Sequence, residues 1–414
     1  MIVKYLILVS GSICLFLNFI LIYTIFNQIN LNDEKFLDLK SCPFCYGYNL
    51  CDDLEFKNNV KLNGQNSFMN TYLMQYILNI KNVFFAYDET TRKKIVFKKL
   101  AHDSELKEFD TNEIFCRNDK ELCFKKILEN NEVLIKKKLD ENSFRLITDL
   151  AGIDFGKCFT QRLIDFIYYG LNENIGSKKS LYYANLALLT TLKINPEPLI
   201  LKMFPKKNGW PFPEFYGSCG RVIAESYEGK TLDQYFNSPF LKRVKIAKKL
   251  LDTLFVLDKN KLDIGIYLLD LGYENISYDE IKDKIYFIDV ENVFLVDKQR
   301  IKTNQGKNFN ETKYFLDFED CGLYGDCLSF NLDKMCTSYY VDLNFYSACR
   351  NLLSSYASDS NRKNFLHSVP NNINNKYNID NLLNECSKSN KNRFQIASEI
   401  TSVLNQILKD ETLY

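Results

Sequence analysis

At 414 residues, with 53 basic against 52 acidic side chains and a formal charge of +1, the chain has the length of a two-lobed or two-domain protein and no charge excess to draw it to nucleic acid. Hydrophobic residues at 46% and aromatics at 14% exclude a mainly disordered chain. Binding to DNA or RNA is not expected.

In chain order, the first element is an uncharged apolar run from Tyr5 to Phe26, long enough to span a bilayer. Lys4 and the amino terminus precede it, and Asp33, Glu34 and Lys35 follow. That asymmetry suits a single-pass type II anchor, with residues 5–26 in the membrane and the remainder in the lumen of the endoplasmic reticulum or Golgi. A cleaved signal peptide, leading to secretion, is the alternative; the length of the run and the lack of a small-x-small site weigh against it.

Of the thirteen cysteines only Cys14 lies inside that run. Cys42, Cys45, Cys51, Cys116, Cys123, Cys158, Cys219, Cys321, Cys327, Cys336, Cys349 and Cys386 read as a disulfide framework in an oxidising compartment. Spacing alone does not fix the pairing. Cys42-Pro-Phe-Cys45 also has the form of a redox motif or half a zinc site, but no thioredoxin-like strand precedes it and only His102 and His367 could join a zinc cluster. Asn310 begins an N-x-T sequon and is a candidate glycan site, whereas the sequon at Asn275 falls in a segment expected to be enclosed.

After the lead around Cys42 to Lys57, residues 68–78 repeat apolar positions at helical spacing. Residues 82–87 and 95–100, joined by the charged stretch Asp88 to Lys94, read as a β-hairpin. Residues 101–205 read as mainly helical, Arg221 to Tyr227 as a strand, and Leu241 to Phe255 as an amphipathic helix whose basic face, Lys242, Arg243, Lys245, Lys248 and Lys249, is expected in solvent. A loop-rich region through Cys336 and helices at Val341 to Tyr356 and Phe394 to Leu408 complete the chain. The expected divisions are a signal anchor at 1–27, a cysteine-rich lead at 28–58, a β-rich first lobe with a cysteine-containing helical insertion at 59–226, and a larger helical lobe at 227–414. This is a two-lobed α+β plan.

One segment, residues 268–292, carries chemistry. Asp270 and Asn275 have the D-x-x-x-x-N spacing of a phosphotransferase catalytic loop, and the apolar residues Ile285 to Ile288 deliver Asp289 nearby. An Asn carbonyl and an Asp carboxylate are hard oxygen ligands for magnesium, and a third oxygen, on Asp270, can orient and deprotonate an attacking hydroxyl. A lysine is needed for the phosphates. Strand alternation puts Lys98 on the face of Val96 and Lys99 on the opposite one, so Lys98 is preferred.

The stretches "CPFCYG", "NVFFA", "VFKKL", "QRLIDF", "NPEPLIL", "GWPFPEFYGSCGR", "LLDLGYENI", "VENVFLVDK" and "CRNLLS" resemble divergent protein kinase domain family 2, the deleted-in-autism-1 family, within the wider family-with-similarity-69 group. The resemblance runs from residue 42 nearly to the C-terminus. It implies a protein-kinase-like bilobal fold in the secretory pathway. The activity it implies is either phosphotransfer from ATP with Mg2+ or Mn2+ to a lumenal protein or glycan hydroxyl, or a pseudokinase serving as a signalling module. On its pattern Lys98 resembles the phosphate lysine, Asp270 the catalytic aspartate, Asn275 and Asp289 the metal ligands, and Asp342 the buried aspartate that supports the catalytic loop. Glu105 fits best as the partner of Lys98, with Glu108, Glu113 and Glu197 as alternatives.

Departures are equally plain. No G-x-G-x-x-G lies between Asn82 and Lys98, so any backbone cover for phosphates falls to the Asp88 to Arg92 turn. Leu268 and Leu269 stand where His and Arg precede the catalytic aspartate, and Asp289-Val290-Glu291 replaces D-F-G, without its permissive glycine.

Overall fold

The computed structural model describes residues 30–51, 53, 59–63, 82–114, 124–172, 181–316, 331–357, 363–388 and 392–410. The apolar run at 5–26 and the helix expected at 68–78 lie outside them. Among the described residues no helix is long and apolar enough to cross a membrane.

The chain forms two compact units. The first comprises the described residues within Met1–Lys138, Asn174–Pro198 and Phe215–Tyr227; the second comprises those within Leu139–Glu173, Leu199–Glu214 and Glu228–Tyr414. The change at Tyr227 to Glu228 lies one residue from the expected boundary. Segments 139–173 and 199–214, expected in the first lobe, cluster instead with the second unit.

In the first unit, β1 (Val60–Leu62), β2 (Asn82–Asp88), β3 (Lys94–Lys99), β4 (Phe215–Cys219) and β5 (Val222–Ser226) form one antiparallel sheet in the order β1-β2-β3-β5-β4. The β-branched and aromatic run Ile95-Val96-Phe97 is buried throughout, as suits a central strand. Phe36, Phe84, Phe97, Val222 and Ala224 meet in its core.

Residues 28–58 are not a separate lead, because their described part packs on this sheet. Arg221, fully buried, donates to the Phe44 carbonyl at 3.1 Å and to Asp38 at 3.2 Å, and Cys51 is bonded to Cys219. Gly220 permits the contact: its φ is +62°, and a Cβ there would lie 1.9 Å from the Leu37 carbonyl oxygen. The disulfide framework is present as Cys42–Cys45, Cys51–Cys219, Cys158–Cys336 and Cys349–Cys386. Cys116, Cys123, Cys321 and Cys327 lie outside the described residues.

The second unit contains β6 (Lys230–Thr231), β7 (Ile264–Leu268), β8 (Ile276–Asp279), β9 (Lys284–Phe287), β10 (Val293–Asp297), β11 (Lys313–Tyr314) and β12 (Tyr340–Val341). They pair as β6-β8-β9, β7-β10 and β11-β12. Around them lie helices, of which Phe240–Asp258 and Arg393–Lys409 pack together; the first buries Val244, Ala247, Leu251 and Leu254, the second Ile396, Ile400 and Leu404. The loop-rich region expected after the 268–292 segment in fact opens with β10 and the helix Lys298–Gln305.

The solvated basic face needs one correction. Arg243 is buried, because its position in the first turn of the Phe240–Asp258 helix lets the guanidinium reach the carbonyls of Ser238, Phe365 and His367. A charged group so buried is tolerable only when its donors are satisfied.

Candidate functional site

Within the first unit, Lys98 lies in the centre of the sheet, opposite Val83 on β2 and Ile223 on β5. Only 8% of it is exposed. Its ammonium meets two buried carboxylates, Glu197 Oε1 at 2.6 Å and Glu225 Oε1 at 3.0 Å. Glu197 opens the helix Glu197–Met203, and its N–H donates to Asn195 Oδ1, a local turn that fixes the helix start. Glu225 reaches Lys98 through strand register: it faces Val96, so it is the diagonal neighbour of Lys98 on the same face. Lys99 turns instead to Asp103.

Glu105 is therefore not the partner of Lys98. Its carboxylate accepts from the His102 backbone N–H at 2.7 Å and closes a capping box at the start of the helix Asp103–Glu108. The Asp88 to Arg92 turn is also committed to itself. Asp88 accepts from the N–H groups of Thr90 and Thr91 and from the Thr91 hydroxyl, and these bonds, the hydroxyl first, hold its carboxyl below the usual range. Two of the N–H groups that a phosphate-covering loop would present are already occupied by a carboxylate.

The second unit holds the remaining candidates. Strand β7 is buried along its whole length and releases the chain at Leu269, leaving Asp270 exposed. The following loop folds back on it: Asn275 Nδ2 donates to the Asp270 carbonyl at 3.2 Å, and the Asn275 N–H to the Gly272 carbonyl at 3.3 Å. Because β8 and β9 pair Ile276 with Phe287, the next rung joins Ile288 N–H to the Asn275 carbonyl at 2.9 Å and sets Asp289 one residue beyond. A third bond, Leu269 N–H to the Asn292 carbonyl, ties both ends of the segment together.

The space at Gly272 shows what this brings together. A Cβ built there would lie 3.8 Å from Asn275 Nδ2, 3.9 Å from Asp270 Oδ1 and 3.4 Å from Glu274 Oε2. Asp270 and Asn275 thus both border the space over Gly272 and form one small cradle, in which a Cβ would make only ordinary contacts. Among the described residues no group of three His, Cys, Asp or Glu side chains is arranged to hold a metal ion. The donor set of Asn275 and Asp289 still fits magnesium, which is commonly held by one or two protein oxygens with substrate phosphates completing the shell.

Support for the end of β7 comes from a residue that the sequence did not single out. Asn344, buried in the helix Leu343–Ala348, accepts from the Leu268 N–H at 2.8 Å and donates to the Ile266 carbonyl at 2.8 Å. Its amide fills the place of a third strand beside β7. Asp342 makes no such bond to β7; it accepts from the Leu316 N–H at 2.9 Å and from Arg393, with both ionic side chains fully buried. Burial pushes its carboxyl above the ordinary value, against the pull of Arg393. The available signal for Asn344 was a lone amide between Leu343 and Phe345 in an uncharged helical stretch. For Glu225 it was a lone carboxylate in a buried strand.

Residues 188–389 match the family model described as the protein-kinase domain of FAM69. The chain is 33% identical over 404 residues to "Divergent protein kinase domain 2A" of Xenopus tropicalis, covering 92% of this chain and 90% of that protein. It is 34% identical over 394 residues to the Homo sapiens protein of the same description, covering 91% and 89%. "Divergent protein kinase domain 2B" of Homo sapiens matches at 30% over 150 residues, 34% of each chain. These similarities bear out the resemblance and the kinase-like α+β domain.

Proposed function

Because this chain belongs to the divergent protein kinase domain 2 family, with a kinase-like domain of the FAM69 type, we propose that it is a secretory-pathway phosphotransferase acting on a hydroxyl of a lumenal or extracellular protein or glycan. The observation that carries the reading is the Asp270, Asn275 and Gly272 cradle, with Asp289 one residue beyond the rung that joins β9 to Asn275.

ATP with Mg2+ or Mn2+, when bound, supplies the phosphoryl group and neutralises its charge. Asp270 would accept a hydrogen bond from the acceptor hydroxyl and take its proton as that oxygen bonds to the γ-phosphorus, while the bond from this phosphorus to the bridging oxygen breaks and ADP leaves. The Asn275 side-chain Oδ1 and the Asp289 carboxylate would hold the metal, while Asn275 Nδ2 donates to the Asp270 backbone carbonyl and so orients that side chain. Lys98, its ammonium held by Glu197 within the first unit, would be the lysine that the family pattern assigns to the phosphates. The four disulfides among the described residues support an oxidising compartment, reached as a type II membrane protein through residues 5–26 or by secretion after cleavage. Asn310, exposed before β11, is the glycan acceptor.

The test is transfer of labelled phosphate from ATP by the purified chain, with Asp270→Ala and Asp289→Ala both inactive. Equal incorporation by the wild type and both variants overturns the reading. A second reading, a pseudokinase that binds partners without phosphotransfer, is favoured by two observations: Asp88 occupies N–H groups of the turn, and Glu225 sets a second carboxylate beside Lys98. Absence of metal-dependent nucleotide stabilisation in a thermal-shift titration supports that alternative.

A further inference from the structure

The second unit has a groove of about 890 Å3 between the helix Gln161–Asn172, the segment around residues 202–210 and the C-terminal end of the helix Phe240–Asp258. Its volume is within the ~300–1,000 Å3 of small-molecule pockets. Leu262 lines it, while Asp270 follows the far end of β7, so a strand of roughly 17 Å separates groove and cradle.

The lining combines apolar surface with one sign of charge. Val256, 56% exposed, and Tyr169, 68% exposed, come from different helices, and Trp210 is fixed in the wall by an edge contact with the buried Phe204. Four lysines line the groove, Lys202, Lys207, Lys259 and Lys261, and among the described residues no acidic side chain lines it. The acidic neighbours of Lys259 and Lys261 along the chain are engaged elsewhere: Asp258 accepts from Lys298 and Asp263 from Lys302. Lys259 is the C-cap of the helix Phe240–Asp258, Lys202 lies in the last turn of the helix Glu197–Met203 and Lys207 in the short 3-10 turn Lys206–Asn208, so helix ends on two chain segments turn their basic residues toward one groove. Desolvation also pushes the Lys202 amine down to about 8, a shift that an arriving carboxylate would oppose.

We infer that this groove binds an acidic peptide segment of a partner protein, seating one aliphatic or aromatic side chain against Val256 and Trp210 while flanking carboxylates meet the lysines. Charge complementarity selects the sign of the partner, and the exposed apolar wall selects a peptide over a sulfated glycan, which has charge but no apolar anchor to bury. The inference stands apart from phosphotransfer, since none of these residues belongs to the cradle.

The test uses the full chain and a fluorescein-labelled peptide of glutamates around a single leucine, read by fluorescence polarisation. Saturable binding is expected, weakened about tenfold or more by Lys259→Glu with Lys261→Glu, by Val256→Asp, and by alanine in place of the peptide's leucine. Lys259, Lys261 and Val256 are exposed, so the variants should keep the wild-type melting temperature; if the double variant does not fold, Val256→Asp decides. No binding by the wild type, equal affinity in the variants, or binding of a heparin oligosaccharide alone overturns the proposal.

Discussion

Asn344→Leu removes both hydrogen bonds on the outer side of β7 while nearly preserving side-chain volume. The Leu268 N–H then loses its acceptor and the Ile266 carbonyl its donor. Water cannot readily replace them, since Leu268, Ile266 and Asn344 are 3%, 2% and 5% exposed. Each stranded backbone group costs about 1–3 kcal/mol, so the pair costs about 4 kcal/mol, a large part of the ~5–15 kcal/mol that stabilises a typical domain. In an opening equilibrium about 4 kcal/mol is close to a thousandfold, because 1.4 kcal/mol is tenfold. Hydrogen exchange of the peptide spanning β7, read beside urea denaturation, measures both quantities. If the proposed chemistry holds, turnover also falls roughly a hundredfold with the KM for ATP little changed, because Asp270 is displaced while Lys98 is untouched. A Leu268 amide that stays protected, with a loss below about 1 kcal/mol, would refute the claim that Asn344 holds this strand.

Two further outcomes follow from charges in the second unit. Arg393→Met leaves Asp342 buried without its ion-pair partner and should cost about 3–5 kcal/mol at pH 8. The folded-state pKa of Asp342 is already raised by burial and rises further without Arg393, so the penalty shrinks as pH falls through it; adding Asp342→Asn recovers most of the loss, and urea midpoints that differ by the same amount at pH 8 and pH 5 count against the argument. Asp283 is the opposite case: burial raises its pKa, but hydrogen bonds from Tyr278, Lys249 and Lys245 outweigh it and hold the carboxyl at about 2. Its contribution is present above the ordinary value of 3.8 and lost as pH falls through about 2; with the side chain 34% exposed, solvent screening reduces it to about 1 kcal/mol. Asp283→Asn should therefore be less stable than wild type at pH 7 and nearly equal to it at pH 2, and a pH-independent difference sinks the assignment.

What the sequence made legible was local in origin. The hairpin of β2 and β3, the Phe240–Asp258 helix and the order of Asp270, Asn275 and Asp289 all follow from periodicity or spacing within a few residues. The partner of Lys98 did not, because Glu197 lies 99 residues away, while the nearer Glu105 is used to cap its own helix. Glu225 needed the register of β3 against β5, and Asn344 needed the knowledge that β7 has an unpaired side to cover. Arg243 defeated the amphipathic reading because a residue in the first helical turn can fold back past the helix end, where periodicity says nothing about carbonyls arriving from Phe365 and His367.

The same distinction bears on function. Asp270 and Asn275 share one short loop, and the rung between Ile288 and Asn275 sets Asp289 one residue beyond it, so the nearness of that loop and the end of β9 follows from local pairing. Glu225 comes beside Lys98 through a cross-strand contact that spacing cannot encode, whereas the bonds of Asp88 stay within its own turn. A lysine bracketed by two carboxylates meets an incoming phosphate less favourably than one held by a single carboxylate, since the added negative charge repels the phosphate as it steadies the ammonium. Glu225→Gln should therefore tighten nucleotide binding if Lys98 serves the phosphates, and should leave it unchanged if Lys98 is structural.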